Sequence, residues 1–130
     1  MNIRLKTNSD VETKLNELQS LLQLSSKAAV MRLAMAFSIK EHTDPRIVNG
    51  QVVNYNIKTQ NGSDYVRFTI FGDNELYYKV LMEQCVGRNI SDDEFFPEMT
   101  CAHINRGINQ LMSEVKLAGT REKFLKKIIL

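Results

Sequence analysis

The sequence predicts an α+β fold, mainly helical, with a ribbon-helix-helix-like strand and two helices at the N-terminus, a central β-hairpin, and two or three further helices. Three observations lead there. Through most of the chain apolar residues recur every three or four places, the period of a helix with one buried face. A period of two, the mark of a half-buried strand, holds only near the N-terminus and between about Gln51 and Ile70. Each periodic stretch also carries its own start or stop signal, a Ser- or Asp-containing cap or a glycine. The 130 residues suffice for one domain with a real core, expected to span 1–130.

Ile3 and Leu5 alternate with Asn2, Arg4 and Lys6, which suits a short strand. Ser9-Asp10-Val11-Glu12 is a capping-box pattern with Ser9 as the cap, and Val11, Leu15, Leu18 and Leu22 follow at helical spacing. Ser25 and Ser26 offer a second cap, opening a helix that runs to about Glu41 before Thr43-Asp44-Pro45 stops it. From Ala28 to Ile39 that helix is apolar nearly all round, so it needs cover on both flanks from other elements or a second subunit, and an oligomer is expected. Val53, Tyr55 and Ile57 alternate with Asn54, Asn56 and Lys58. Asn61-Gly62 supplies a turn, and Val66, Phe68 and Ile70 return, which reads as the hairpin. A helix from Asn74 to about Val86 is expected to bury Leu76, Tyr77, Val80, Leu81 and Cys85 and to stop at Gly87. Ser91-Asp92-Asp93-Glu94 repeats the capping-box pattern, with Phe95 and Phe96 pointing inward. Pro97 then begins a helix with the stripe Cys101, Ile104, Ile108, Leu111 and Val115. Gly119 breaks it, and Thr120 to Leu130 forms a last amphipathic helix with Phe124, Leu125, Ile128 and Ile129 on one side and lysines on the other.

No run approaches the roughly 18 apolar residues of a membrane span, and the N-terminus has no signal-peptide pattern, so a cytoplasmic protein is expected. Cys85 and Cys101 lack a CxxC or a paired His/Cys spacing, which argues for two small buried thiols and against a zinc or iron-sulfur site. No metal or cofactor is expected. The net charge is only +2, but the segment from Lys116 to Leu130 holds five basic residues against one acidic, leaving −2 on the rest. A basic terminus on a mildly acidic body suits a phosphate-bearing partner, although a solvated helix face explains such a run as well.

Arg4 and Lys6 would face outward from the strand, and in a ribbon-helix-helix unit such residues enter the major groove. The amides near Ser25, Ser26 and Lys27, at the start of the second helix, form a potential anion site for a backbone phosphate. Lys123, Lys126 and Lys127 could add backbone contacts. Ordinary solvated charge is the simpler account of each. Asp92, Asp93, Glu94 and Glu98 could hold Mg²⁺, yet acidic residues in a first helical turn are expected for capping alone. The histidines, His42 and His103, have no nucleophile at a recognisable spacing, and the six glycines are dispersed, so no catalytic site assembles and the protein reads as a non-enzyme. His103 and Gly107 share a helix face. A mid-helix glycine costs about 1 kcal/mol relative to alanine, so Gly107 is expected to admit the apolar helix containing Arg32 to Phe37, while His103 bonds across that contact.

Arg32-Leu33-Ala34, Thr69-Ile70-Phe71-Gly72-Asp73 and Ala102-His103-Ile104-Asn105-Arg106-Gly107-Ile108, in this order, resemble the DndE family. This is the E component of the bacterial Dnd system for DNA sulfur modification (phosphorothioation), in which sulfur replaces a non-bridging phosphate oxygen. The resemblance covers a core from about Ile3 to Met112 and leaves 113–130 as a basic amphipathic extension with no inherited role. It implies a homotetramer that binds double-stranded DNA, preferring nicked duplex, through surface lysines, alongside the other components of the sulfur-modification complex. Those partners, a cysteine desulfurase, an iron-sulfur protein and an SMC-like ATPase, would do the chemistry. The turn Leu24-Ser25-Ser26-Lys27-Ala28 departs from the Thr-Pro-Asn type expected of the family. Two other functions fit the same sequence: a scaffold that holds the modification enzymes together, and a ribbon-helix-helix repressor.

Overall fold

The computed structural model describes residues 3–55 and 60–129. Asn2, Asn56, Ile57 and Lys58 lie outside the described residues. Strand β1 (Arg4–Lys6) leads into α1 (Ser9–Leu22). The cap of α1 is Asn8, whose Oδ1 accepts from the Val11 amide at 2.8 Å, so the expected cap Ser9 becomes the first helical residue. Asparagine caps as well as serine. Glu12, expected to reach back to the helix start, is instead drawn to Thr7, Tyr65 and Lys27. α1 ends at Gln23 in the left-handed conformation, and Ser26 caps α2 (Lys27–Ile39) by accepting from the Ala29 amide at 3.1 Å.

The apolar α2 is the centre of the molecule. α1, α3, α4 and α5 all pack on it, and Val30, Met31, Ala34 and Met35 are fully buried. Most of α2 is therefore covered by this chain's own elements, with Leu33, Phe37 and Ile39 half-buried and Ala36 exposed.

The hairpin sits earlier than the period-two pattern suggested. β2 (Ile47–Val48) pairs antiparallel with β3 (Gln51–Val52) around Asn49-Gly50, both with positive φ (53° and 78°), the two-residue turn that Asn-Gly favours. β4 (Asp64–Val66) pairs with β1 of the same chain, Leu5 opposite Tyr65, so the N-terminal strand has an intramolecular partner. Gly62 makes no left-handed turn. It lies where a Cβ would be 2.6 Å from the Thr7 carbonyl oxygen, and its amide donates to that oxygen at 2.7 Å. After Val66 the chain turns into α3 (Arg67–Phe71) rather than continuing as a strand. There Arg67, Ile70 and Phe71 face inward and Phe68 outward, a helical spacing that the alternation of Val66, Phe68 and Ile70 concealed.

A 3₁₀ turn (Gly72–Asn74) precedes α4 (Glu75–Val86), which ends at Gly87 (φ 77°). α4 is rotated from the expected face: Met82 and Cys85 are buried, whereas Leu76, Tyr77 and Val80 are exposed. Tyr78, one turn before Met82, packs against Phe71 with ring centroids 5.2 Å apart. The aromatic cluster of Phe71, Phe95 and Phe96 thus draws the 78/82/85 stripe inward. Ser91 and Glu94 form the reciprocal box, the Glu94 amide donating to Ser91 Oγ at 3.1 Å and the Ser91 amide to Glu94 Oε1 at 3.5 Å. A wide turn (Glu94–Met99), with Phe96 extended (φ −137°, ψ 125°), leads into α5 (Thr100–Ala118), which buries the expected stripe from Cys101 to Val115. Gly119 (φ 87°) ends it, and α6 (Arg121–Ile129) docks on α5 through the buried Phe124, whose ring stacks with Phe37 of α2.

Candidate functional site

His103 and Gly107 lie fully inside the contact between α5 and α2. A Cβ on Gly107 would stand 1.8 Å from the Ala34 carbonyl oxygen, so no residue but glycine fits without moving a helix. One turn away, His103 Nδ1 lies 2.8 Å from Ser38 Oγ. Arg106 Nε donates to the same oxygen at 2.8 Å, so Ser38 Oγ joins the imidazole to the guanidinium. Burial, then the charge of Arg106, holds the imidazole pKa down at about 3, and the ring is neutral. Arg106 also donates to the Ser38 carbonyl at 2.7 Å, a cation at the C-terminal end of α2, and to the carbonyl of Thr43 beyond that helix at 3.1 Å. This is a clamp between helices in which Ser38 and His103 are both fully buried. Its members follow helix spacing, but the role of Arg106 has no signal in the sequence, because its acceptors are backbone and hydroxyl groups 63 to 68 residues away.

The three motifs quoted above converge on this clamp. Arg32 Nη1 donates to the Ile70 carbonyl at 3.0 Å, tying the first motif to the second, and Ala34 meets Gly107, tying it to the third. Asn105 adds hydrogen bonds to the Cys101 carbonyl at 2.8 Å and from Asn8 at 3.3 Å.

Three further polar nodes hold the periphery. Glu12 accepts from Thr7 Oγ1 at 2.6 Å, Tyr65 Oη at 2.8 Å and Lys27 Nζ at 3.0 Å. Burial raises its pKa, but these three donors outweigh it and the carboxylate lies below its usual range. Arg67 is anchored by Asp92 and Glu75 and lies over the rings of Phe95 and Phe96, 5.5 and 5.1 Å from their centroids. Arg46 bridges Asp44, Glu94 and Glu98, and Arg88 pairs with Glu94. The acidic group Asp92, Glu94 and Glu98 is therefore engaged by arginines, which leaves Asp93 of the candidate Mg²⁺ residues outside these pairs. Both cysteines are free and buried, and burial pushes the Cys101 thiol up to about 12, far from a reactive thiolate.

The proposed phosphate contacts divide into two groups. Lys27 is paired with Glu12 and Lys127 with Glu114, and Ser26 Oγ is occupied in capping α2. Arg4, Lys123 and Lys126 are exposed and Lys6 is half-buried, and among the described residues none of these four has a carboxylate partner. Ser25 is exposed beside the cap. Arg4 and Lys6 belong to β1, packed on β4 and the Glu94–Met99 turn, while Lys123 and Lys126 belong to α6, packed on α5. A groove of about 620 Å³ runs between the β2–β3 hairpin and α5. Among the described residues its lining holds no carboxylate, thiol, hydroxymethyl or imidazole group, and Asn105, Arg106 and Asn109 in its wall are bonded to neighbours within the chain.

The fold and its polar nodes define a small, mainly helical α+β protein whose buried polar side chains serve to lock helices together. A family model described as "DNA sulphur modification protein DndE" matches residues 4–119, from β1 to the glycine that ends α5, and the chain belongs to this family. Its role accordingly lies in DNA sulfur modification, as an accessory component associated with other Dnd components. No curated protein matches the chain. α6 follows the matched span, and among the described residues no helix is long and apolar enough to cross a membrane.

Proposed function

We propose that this protein is a non-catalytic DNA-binding subunit of the sulfur-modification machinery. It works as a homo-oligomer, a tetramer on the family resemblance, and grips duplex DNA through its surface cations, with nicked duplex preferred. The observation that carries this reading is the division of the basic residues. Arg4, Lys6, Lys123 and Lys126 have no carboxylate partner among the described residues, in a protein where Arg46, Arg67 and Arg88 are all paired with carboxylates. Unpaired surface cations release condensed counterions when they meet phosphates, so log affinity falls with log salt by about 0.9 per contact. Such contacts position a protein without reading bases.

A mobility-shift titration on nicked, intact and single-stranded DNA at two salt concentrations tests it. The expected result is a salt-steep shift with little dependence on sequence, reduced for every sequence in Lys123→Ala/Lys126→Ala. Absence of any shift at low salt would sink the proposal.

A further inference from the structure

We propose that the outward face formed by β4, α3 and α4 is the docking surface for a second copy of this chain, arranged about a twofold axis beside β4. The proposal rests on the oligomeric reading above and assigns it a surface. The apolar α2 offers less, since the chain's own helices cover most of it and Ala36 is its one exposed apolar residue among the described residues. Half of the exposed large apolar residues among those described lie on this face, Ile3 (58%), Val66 (43%), Phe68 (67%), Leu76 (73%), Tyr77 (67%) and Val80 (43%), and it holds the exposed aromatic rings of Phe68 and Tyr77. Ile3, Val66 and Phe68 share one depression of about 330 Å³ with Gly72 and Glu75, and Leu76, Tyr77 and Val80 continue along the outer face of α4.

Size and charge both suit a protein partner. Scaling ordinary side-chain areas by these exposures gives about 600 Å² of apolar surface, at the upper end of what a monomer leaves bare and close to the about 800 Å² per partner of a standard interface. Glu75 and Asp92 at its border already pair with Arg67, so covering the face leaves neither carboxylate newly unpaired.

The backbone argues for a second copy over a different protein. The Thr7 amide donates to the Ser63 carbonyl and the Arg67 amide to the Ile3 carbonyl, so residues 63, 65 and 67 turn their polar groups toward β1. By alternation the Asp64 amide and carbonyl and the Val66 amide turn the other way, the Val66 carbonyl serving the first turn of α3, and among the described residues no strand pairs with that edge. A second β4 running antiparallel and centred on Tyr65 places Asp64 opposite Val66 of the other copy, and Val66 opposite Asp64, so the edge is its own complement. The resulting four-stranded ribbon would bring Arg4 and Lys6 of both copies onto one sheet, their strands about 14 Å apart.

The test is the solution mass of the full chain without DNA. The wild type is expected at a multiple of 14.9 kDa, and Phe68→Glu/Leu76→Glu at no more than half the wild-type mass with an unchanged circular dichroism spectrum. Val52→Glu, on the equally exposed β3, is expected to keep the wild-type mass. A monomeric wild type, a Phe68→Glu/Leu76→Glu variant that keeps its mass, or equal dissociation by Val52→Glu would each overturn the proposal. Should the double variant misfold, hydrogen exchange decides. The Asp64 and Val66 amides of the wild type must gain protection as protein concentration rises, and concentration-independent exchange overturns the proposal. A monomer that still shifts DNA defeats this interface alone, whereas a multimer dissociated as expected that shifts no DNA defeats only the DNA reading.

Discussion

The α2–α5 clamp and the basic α6 are built from the same kinds of residue and do opposite things. In the clamp, Arg106 and His103 are fixed by hydrogen bonds to Ser38 and Thr43, and Gly107 is pressed against the Ala34 carbonyl. On α6, Lys123 and Lys126 stand exposed without an ion pair among the described residues, and Phe124 is fully buried. A charged side chain placed in a clamp specifies how helices cross. One left on a surface remains available to a partner. The three motifs that resemble the family meet at the clamp, while the proposed DNA contacts lie on residues free of such structural duty.

The strongest separation of the two regions should come from Gly107→Ala. A Cβ 1.8 Å from a main-chain oxygen cannot be accommodated by a rotamer change, so α2 and α5 must part. Overpacking of this kind costs typically 1–3 kcal/mol and here should reach about 3 kcal/mol or more, a fall in Tm on the order of 10 °C. Thermal unfolding followed by circular dichroism checks it, and an unchanged Tm would show that the close approach is not a constraint.

Acid should find the same clamp next. His103 has a folded pKa of about 3, below the 6.5 of an unconstrained imidazole, so between these values the unfolded state binds the extra proton. Stability from this residue is complete above about pH 6.5 and is lost as pH falls toward 3, by about 1 kcal/mol per pH unit. Denaturant titrations from pH 7 to pH 4.5 should show this slope in the wild type and a flatter one in His103→Gln. Equal slopes would remove His103 as the titrating group. Glu12→Gln should cost less, about 1–2 kcal/mol at pH 7, because the amide can still accept from Thr7 or Tyr65 but loses the charge facing Lys27.

What could be read from the sequence divides along the same line. The helices with strict apolar spacing, α1 and α5, and the meeting of Gly107 with α2 follow from periodicity and from the cost of a mid-helix glycine, both local properties. The hairpin was displaced because two Asn-Gly pairs compete. Asn49-Gly50 takes the positive-φ turn, while Gly62 is glycine for a different reason, its close approach to Thr7. α3 hid within an alternating run because Arg67 looks like a strand's solvent residue until Glu75, Asp92 and two phenylalanine rings surround it. The inward face of α4 depended on a cluster that joins Phe71, before α4, to Phe95 and Phe96, beyond it. Arg106 and the Glu12 node escaped for the same reason.

The smallest effect on stability, and the one that most sharpens the contrast, belongs to α6. Lys123→Ala and Lys126→Ala remove exposed charges without partners among the described residues, so unfolding free energy should stay within about 0.5 kcal/mol of the wild type. Lys127→Ala breaks the pair with Glu114 at a half-exposed site and should likewise change stability by less than about 1 kcal/mol. DNA affinity should order the three differently. Lys123 and Lys126 each should lower the salt slope by about one, whereas Lys127, already neutralised within the chain, should lower it less. If Lys127→Ala weakened binding as much as the other two, its pairing with Glu114 would have to open on DNA, and charge left free in the unbound protein would no longer be what selects the contacts.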